Sequence, residues 1–155
     1  MKKLLTYAIV FILFVFVALQ FFQPEKNDEE KMTNHIFVSE QIPEDVKNII
    51  QSSCLDCHSN KTIYLWYDRI SPVSWLVNKH ITDGKKEINF SEWGEQDAFD
   101  KYGIFQDIQK EVGEKNMPLK SYTMVHKNAR LSDDERKVLV EWCKKRVEEL
   151  AEELK

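Results

Sequence analysis

Apolar positions follow two regimes along this chain. From Leu4 to Phe22 they form a nearly unbroken, uncharged run of Leu, Ile, Val and Phe; beyond Pro24 they are interleaved with charge at helical intervals. The first run, 19 residues long, would rise about 28 Å as a helix, close to the hydrocarbon thickness of a bilayer. It is apolar on every face, unlike a helix with one side packed on a soluble core. A cleaved signal peptide is the rival reading. The run exceeds a signal h-region, however, and Gln20-Phe21-Phe22-Gln23-Pro24 offers no small-x-small cleavage site. Residues 1–23 are therefore read as an uncleaved membrane anchor. Lys2, Lys3 and the terminal amine favour a cytoplasmic N-terminus, which sends the remainder of the chain outward.

Residues 24–42 read as a polar tether. Pro24-Glu25-Lys26-Asn27-Asp28-Glu29-Glu30-Lys31 has too little apolar content to pack, and Ile36, Phe37 and Val38 suit a short extended piece. Residues 43–155 form the domain proper. Pro43 suits a first helical turn, and Val46, Ile49 and Ile50 recur at helical spacing behind it. A second helix is expected from Pro72 to about Thr82, stopped by Asp83-Gly84. A third covers Asp97 to Val112, with Ile104, Phe105, Ile108 and Val112 on one face and Gly113 as its stop. The last runs from Ser132 to about Leu154: Ser132 and Glu135 make a capping box, and Val138, Leu139, Trp142, Val147, Leu150 and Leu154 a buried stripe. No strand-like alternation occurs, so the expected class is all-α, preceded by a single transmembrane helix.

Charge narrows the partners. Lys2 and Lys3 are the only charges before Glu25, leaving 20 basic and all 26 acidic side chains beyond the anchor, a net charge of −6. That argues against nucleic acid and is compatible with a basic patch on a partner protein, or with a merely solvated acidic surface.

The chemistry sits in Cys54-Leu55-Asp56-Cys57-His58, directly after the first domain helix. Cys-x-x-Cys-His is the attachment signature of a c-type haem. Two thiols on one helical turn can add to the two vinyl groups of one porphyrin, and the adjacent histidine can offer its imidazole to the iron. A thioredoxin-like dithiol needs a βαβ setting, a zinc site needs further ligands, and a Cys54–Cys57 disulfide leaves His58 unexplained. The outward topology favours one covalent haem c, since haem attachment takes place on the outer side of a bacterial inner membrane. The expected location is thus the inner membrane with the domain in the periplasm.

His58 needs a partner for its second ring nitrogen, and Ile70-Ser71-Pro72 is the expected source of a carbonyl. Tyr64, Trp66, Tyr67 and Trp75 would either shield a porphyrin or pack a core. For the sixth iron position the candidates are Met117, Met124, His80, His126 and His35. Met117 leads, because it lies in the Pro-bearing loop Asn116-Met117-Pro118-Leu119 between the last two helices. Cys143, beside Trp142, reads as a buried inert thiol, with an intermolecular disulfide as the minority reading.

The segments Cys54-Leu55-Asp56-Cys57-His58-Ser59-Asn60, Trp66-Tyr67, Ser71-Pro72-Val73-Ser74-Trp75, Asn89-Phe90-Ser91-Glu92-Trp93 and Met117-Pro118-Leu119-Lys120-Ser121-Tyr122 resemble the bacterial haem-binding domain proteins. These are small cytochrome-c-like chains common in Bacteroidetes. The resemblance runs from about residue 36 to the end. It implies a cytochrome-c-like helical domain around one haem, covalently held at Cys54 and Cys57, with His58 as axial ligand and the Met117 loop where such folds present the distal one. It also leaves Trp93 as a candidate cover for a haem edge. The leading functional expectation is one-electron transfer to or from an unidentified redox partner. The alternative is a haem sensor or peroxidase-like enzyme with an open distal site, for which Glu92 and His126 are acid–base candidates by residue type only. A third is a non-haem domain stapled by a Cys54–Cys57 disulfide.

Overall fold

The computed structural model describes residues 1–29 and 31–155; Glu30, within the expected tether, lies outside the described residues. Among these residues the regular structure is helical, with eight α-helices, short 3-10 turns and no strand. Helix α1 (Lys2–Leu19) buries none of its residues and has a mean hydropathy of 2.2, long and apolar enough to cross a membrane. Helix α2 (Ile36–Ser39) is one turn, where an extended piece was expected. His35 accepts the Phe37 N–H through Nδ1 and starts the turn, so Ile36 is fully buried.

The domain is built on α3 (Glu44–Ser53), α4 (Leu55–His58), α5 (Val73–Glu87), α6 (Ala98–Gly113), α7 (Lys120–Val125) and α8 (Asp133–Glu153). Helices α6 and α8 form the principal packed pair, and α3 lies against α8. Trp93, Phe105 and Trp142 stack edge to face through the core at centroid separations of 5.0 and 5.2 Å. Each buried aromatic of this kind contributes about 2 kcal/mol of burial plus up to about 1 kcal/mol of ring geometry. The α8 capping box forms as expected, with Ser132 Oγ accepting the Glu135 N–H and Glu135 Oε2 accepting the Ser132 N–H. Its buried face is Leu139, Trp142, Cys143 and Leu150, whereas Val138 and Leu154 are exposed.

Helix α5 does not stop at Asp83-Gly84 but continues to Glu87. Gly84 serves close approach rather than termination. A Cβ placed there would sit 2.7 Å from the Cys57 carbonyl oxygen, so the glycine lets α5 lie directly on α4.

The expected tether docks: Ile36 enters the core with Phe37 and Ile42 packed against it, and the first part of the segment is held by hydrogen bonds. The Asn27 N–H donates to Tyr64 Oη at 2.8 Å, its amide to the Ser59 carbonyl at 2.8 Å, and Thr62 N–H to the Asn27 carbonyl at 2.9 Å. At its far end the Glu40 carboxylate, whose side chain is only 8% exposed, lies 3.4 Å from Lys101 and 3.0 Å from Arg146 and accepts the Trp93 indole N–H.

Candidate functional site

Helix α3 ends at Cys54, whose backbone (φ −122°, ψ −42°) leaves helical geometry and restarts as the single turn of α4. The Cys57 and His58 N–H groups both return to the Cys54 carbonyl, at 3.2 and 3.0 Å. This break turns Cys54, Cys57 and His58 together into one cavity of about 660 Å³, within the range of small-molecule and cofactor sites.

The cavity is walled by Ile50 of α3, Phe90, Ile108 and Val112 of α6, and Leu139 and Trp142 of α8. The loop Met117-Pro118-Leu119 closes one side, and the α5 face bearing His80, Asp83 and Glu87 borders another. Met117 is fixed by its backbone: its N–H donates to the Glu111 carbonyl at 3.0 Å, and its own carbonyl accepts from Arg136 Nη1 at 2.7 Å. Lys115, with φ 62°, supplies the left-handed turn that ends α6 and aims this loop.

His58 Nδ1 lies 3.1 Å from the Ile88 carbonyl. A carbonyl only accepts, so Nδ1 carries the proton and Nε2 keeps its lone pair. The orienting carbonyl is therefore Ile88, not the expected Ile70-Ser71-Pro72 segment. That segment is occupied elsewhere: the Ser71 backbone pairs with Gln20. Phe90 sits edge-on to the imidazole at 6.3 Å. Burial pulls the His58 pKa down, opposed by the Ile88 and Gly84 carbonyls and by Glu87, so the ring is neutral at neutral pH.

Both motif thiols are free and held protonated. Burial, then the neighbouring Cys57, pushes Cys54 up to about 12; burial, then Asp56 and Asp68, pushes Cys57 up to about 11. Asp56, between them, accepts from Tyr122 Oη at 2.7 Å and from the Ile63 N–H at 3.0 Å, tying the motif to α7 and to the following loop. Cys143 is fully buried, which closes the intermolecular disulfide to the folded chain. No group of three or more His, Cys, Asp or Glu side chains suited to a metal ion occurs among the described residues.

Of the distal candidates, Met117 and His80 border the cavity. His126 is engaged outside it, with Nε2 at 2.6 Å from Tyr67 Oη and its ring stacked on Tyr122 at 4.1 Å. Met124 is 69% exposed, and His35 is buried at the start of α2. The four aromatics of 64–75 neither shield the cavity nor build the core. Tyr64 and Tyr67 make hydroxyl hydrogen bonds, while Trp66 and Trp75 are exposed. Trp93 is a core residue, Glu92 is held at the surface by Asn60, and neither lines the cavity. Periodicity had marked Ile108, Val112, Leu139 and Trp142 as core. That they wall a cavity was visible only once α6, α8 and the motif were placed together.

No curated protein and no solved structure matches the chain. Residues 14–145 match the family described as the haem-binding domain, covering most of the sequence. The cavity, with two thiols, an oriented neutral imidazole and apolar walls, is chemically suited to a haem, and the chain belongs to the haem-binding domain family.

Proposed function

We propose that this protein is a membrane-anchored, single-haem electron carrier of the c type, with Cys54 and Cys57 as thioether anchors and His58 and Met117 as axial ligands. The observation that carries this reading is the convergence of those four side chains on one cavity walled by Phe90, Ile108, Val112, Leu139 and Trp142. A bound haem would supply a one-electron Fe(III)/Fe(II) couple.

The chain's own residues do the rest. The Ile88 carbonyl holds the His58 ring in the tautomer that presents Nε2 to the cavity. Glu111 and Arg136 clamp the backbone of Met117, which limits ligand exchange on that side. The apolar walls exclude water, which opposes added positive charge and, with a thioether ligand, favours the reduced state. Helix α1 retains the domain at a bilayer, and Lys2 and Lys3 support an outward, periplasmic orientation in the inner membrane.

The test is the absorption spectrum of the full chain produced together with haem-attachment machinery. Low-spin iron is expected in both redox states, with the weak long-wavelength band of thioether-to-iron ligation in the oxidised form. Met117→Ala removes that band and His80→Ala leaves it. Immediate carbon monoxide binding by wild-type protein would reject the electron-carrier reading in favour of an open distal site.

A further inference from the structure

The end of α1 is not a free swivel. Gln20 Nε2 donates to the Ser71 carbonyl at 3.1 Å, and Gln20 Oε1 accepts the Ser71 N–H at 3.0 Å. Gln23 Nε2 donates to Ser71 Oγ at 2.9 Å, and the Trp75 indole N–H donates to the Phe22 carbonyl at 2.6 Å. Four hydrogen bonds thus join residues 20–23, at the end of the apolar run, to Ser71 just ahead of α5 and to Trp75 in its first turn. Around this junction large apolar side chains face outward: Phe21 is 84% exposed, Phe22 70%, Trp66 75% and Leu76 52%, with Val73 and Trp75 at 39%. From Ile70 to Asn78 the chain carries no charge.

Exposed apolar side chains clustered on one surface mark a contact face, and tryptophan concentrates where a bilayer meets water. The polypeptide leaving α1 emerges at this face, so the surface nearest the anchor is also the one that water solvates poorly. We propose that the start of α5 and the Trp66 turn dock in the headgroup region of the lipid bilayer, holding the domain in one fixed orientation on the membrane. The proposal rests on the reading of α1 as a membrane anchor. Its consequence follows from helix geometry. His80, Asp83 and Glu87, which border the cavity, lie roughly 6, 10 and 16 Å along α5 from Leu76. One side of the cavity would therefore stand close above the headgroups.

Tryptophan fluorescence tests this, because α1 contains no tryptophan and Trp93 and Trp142 are buried. The full-length holoprotein is placed in phosphatidylcholine vesicles, either plain or brominated near the headgroup end of the acyl chains. Quenching by haem is common to both samples and cancels in the ratio. Brominated lipid is expected to cause a loss of emission relative to plain lipid, and W66F/W75F to abolish that loss. Flotation with the vesicles checks the anchor independently. A chain that fails to float overturns both the anchor and the docking. A chain that floats with no bromine quenching, or whose quenching persists in W66F/W75F, overturns the docking alone.

Discussion

Replacing Gly84 by alanine tests the contact that seats the haem motif. The added Cβ would lie 2.7 Å from the Cys57 carbonyl oxygen, 3.2 Å from its carbon and 3.3 Å from the Cys57 Cβ. The first separation is roughly 0.8 Å short of an ordinary contact near 3.5 Å. The obstructing atom is backbone, so α4 and α5 must part rather than a side chain swing away. Overpacking of this kind costs about 1–3 kcal/mol, and alanine returns up to about 1 kcal/mol of helix propensity. A net loss of about 1–2 kcal/mol is expected. Gly103 is the internal control: it lies within α6 and a Cβ there meets nothing within 4 Å. Gly103→Ala should therefore gain up to about 1 kcal/mol from propensity alone. Urea unfolding of the full-length holoprotein in detergent, followed by circular dichroism, measures both. Gly84→Ala as stable as wild type or more so, alongside a stabilised Gly103→Ala, would refute the close-approach argument.

Three further outcomes are expected. Glu40→Ala removes the carboxylate shared by Lys101, Arg146 and the Trp93 indole, and should cost about 2 kcal/mol by leaving the lysine and the indole unpaired while Arg146 keeps Glu149; a loss below about 1 kcal/mol in the same unfolding assay would show that the segment before α3 is not locked. Ser132→Ala should cost about 1 kcal/mol at neutral pH. The Ser132 backbone N–H and then its hydroxyl hold the Glu135 pKa below its ordinary value; the hydroxyl's part, which the variant removes, is complete above the unfolded carboxylate pKa and is lost as pH falls through the folded one. The gap between variant and wild type should accordingly narrow in acid, and a gap independent of pH would contradict the assignment. In haem-free protein, Cys54 and Cys57, raised to about 12 and about 11, should be alkylated at least tenfold more slowly near pH 8 than in urea, as mass spectrometry of quenched samples will show.

Much of the helical frame was legible because its signals are local. The Ser132–Glu135 box, Asp97 ahead of α6 and the apolar spacing of α3 act within one or two turns, and each element appears where those signals lie. Gly84 misled for the opposite reason: glycine weakens a helix locally, but here a contact with Cys57, far away in sequence, overrides the break. The Ile88 carbonyl carried no sequence signal at all, since any residue offers a carbonyl and only the path of α5 brings this one to His58. Tyr64, Trp66, Tyr67 and Trp75 look alike as aromatic residues, yet the first and third are positioned by their hydroxyls and the other two face outward. The polar stretch near Asn27 has too little apolar content for packing to show in the sequence; its hydrogen bonds to the 59–64 loop are long-range and leave no periodic trace.

Covalent haem at the motif is the claim on which the rest depends. The most direct measurement is mass spectrometry of the purified full chain, intact and after proteolysis, following extraction with acidified acetone. One haem retained on the peptide spanning Cys54 to His58, and lost in the Cys54→Ser/Cys57→Ser variant, is the predicted result. Haem that extracts completely from wild-type protein, or a chain that leaves the attachment machinery with Cys54 and Cys57 unmodified, would contradict it.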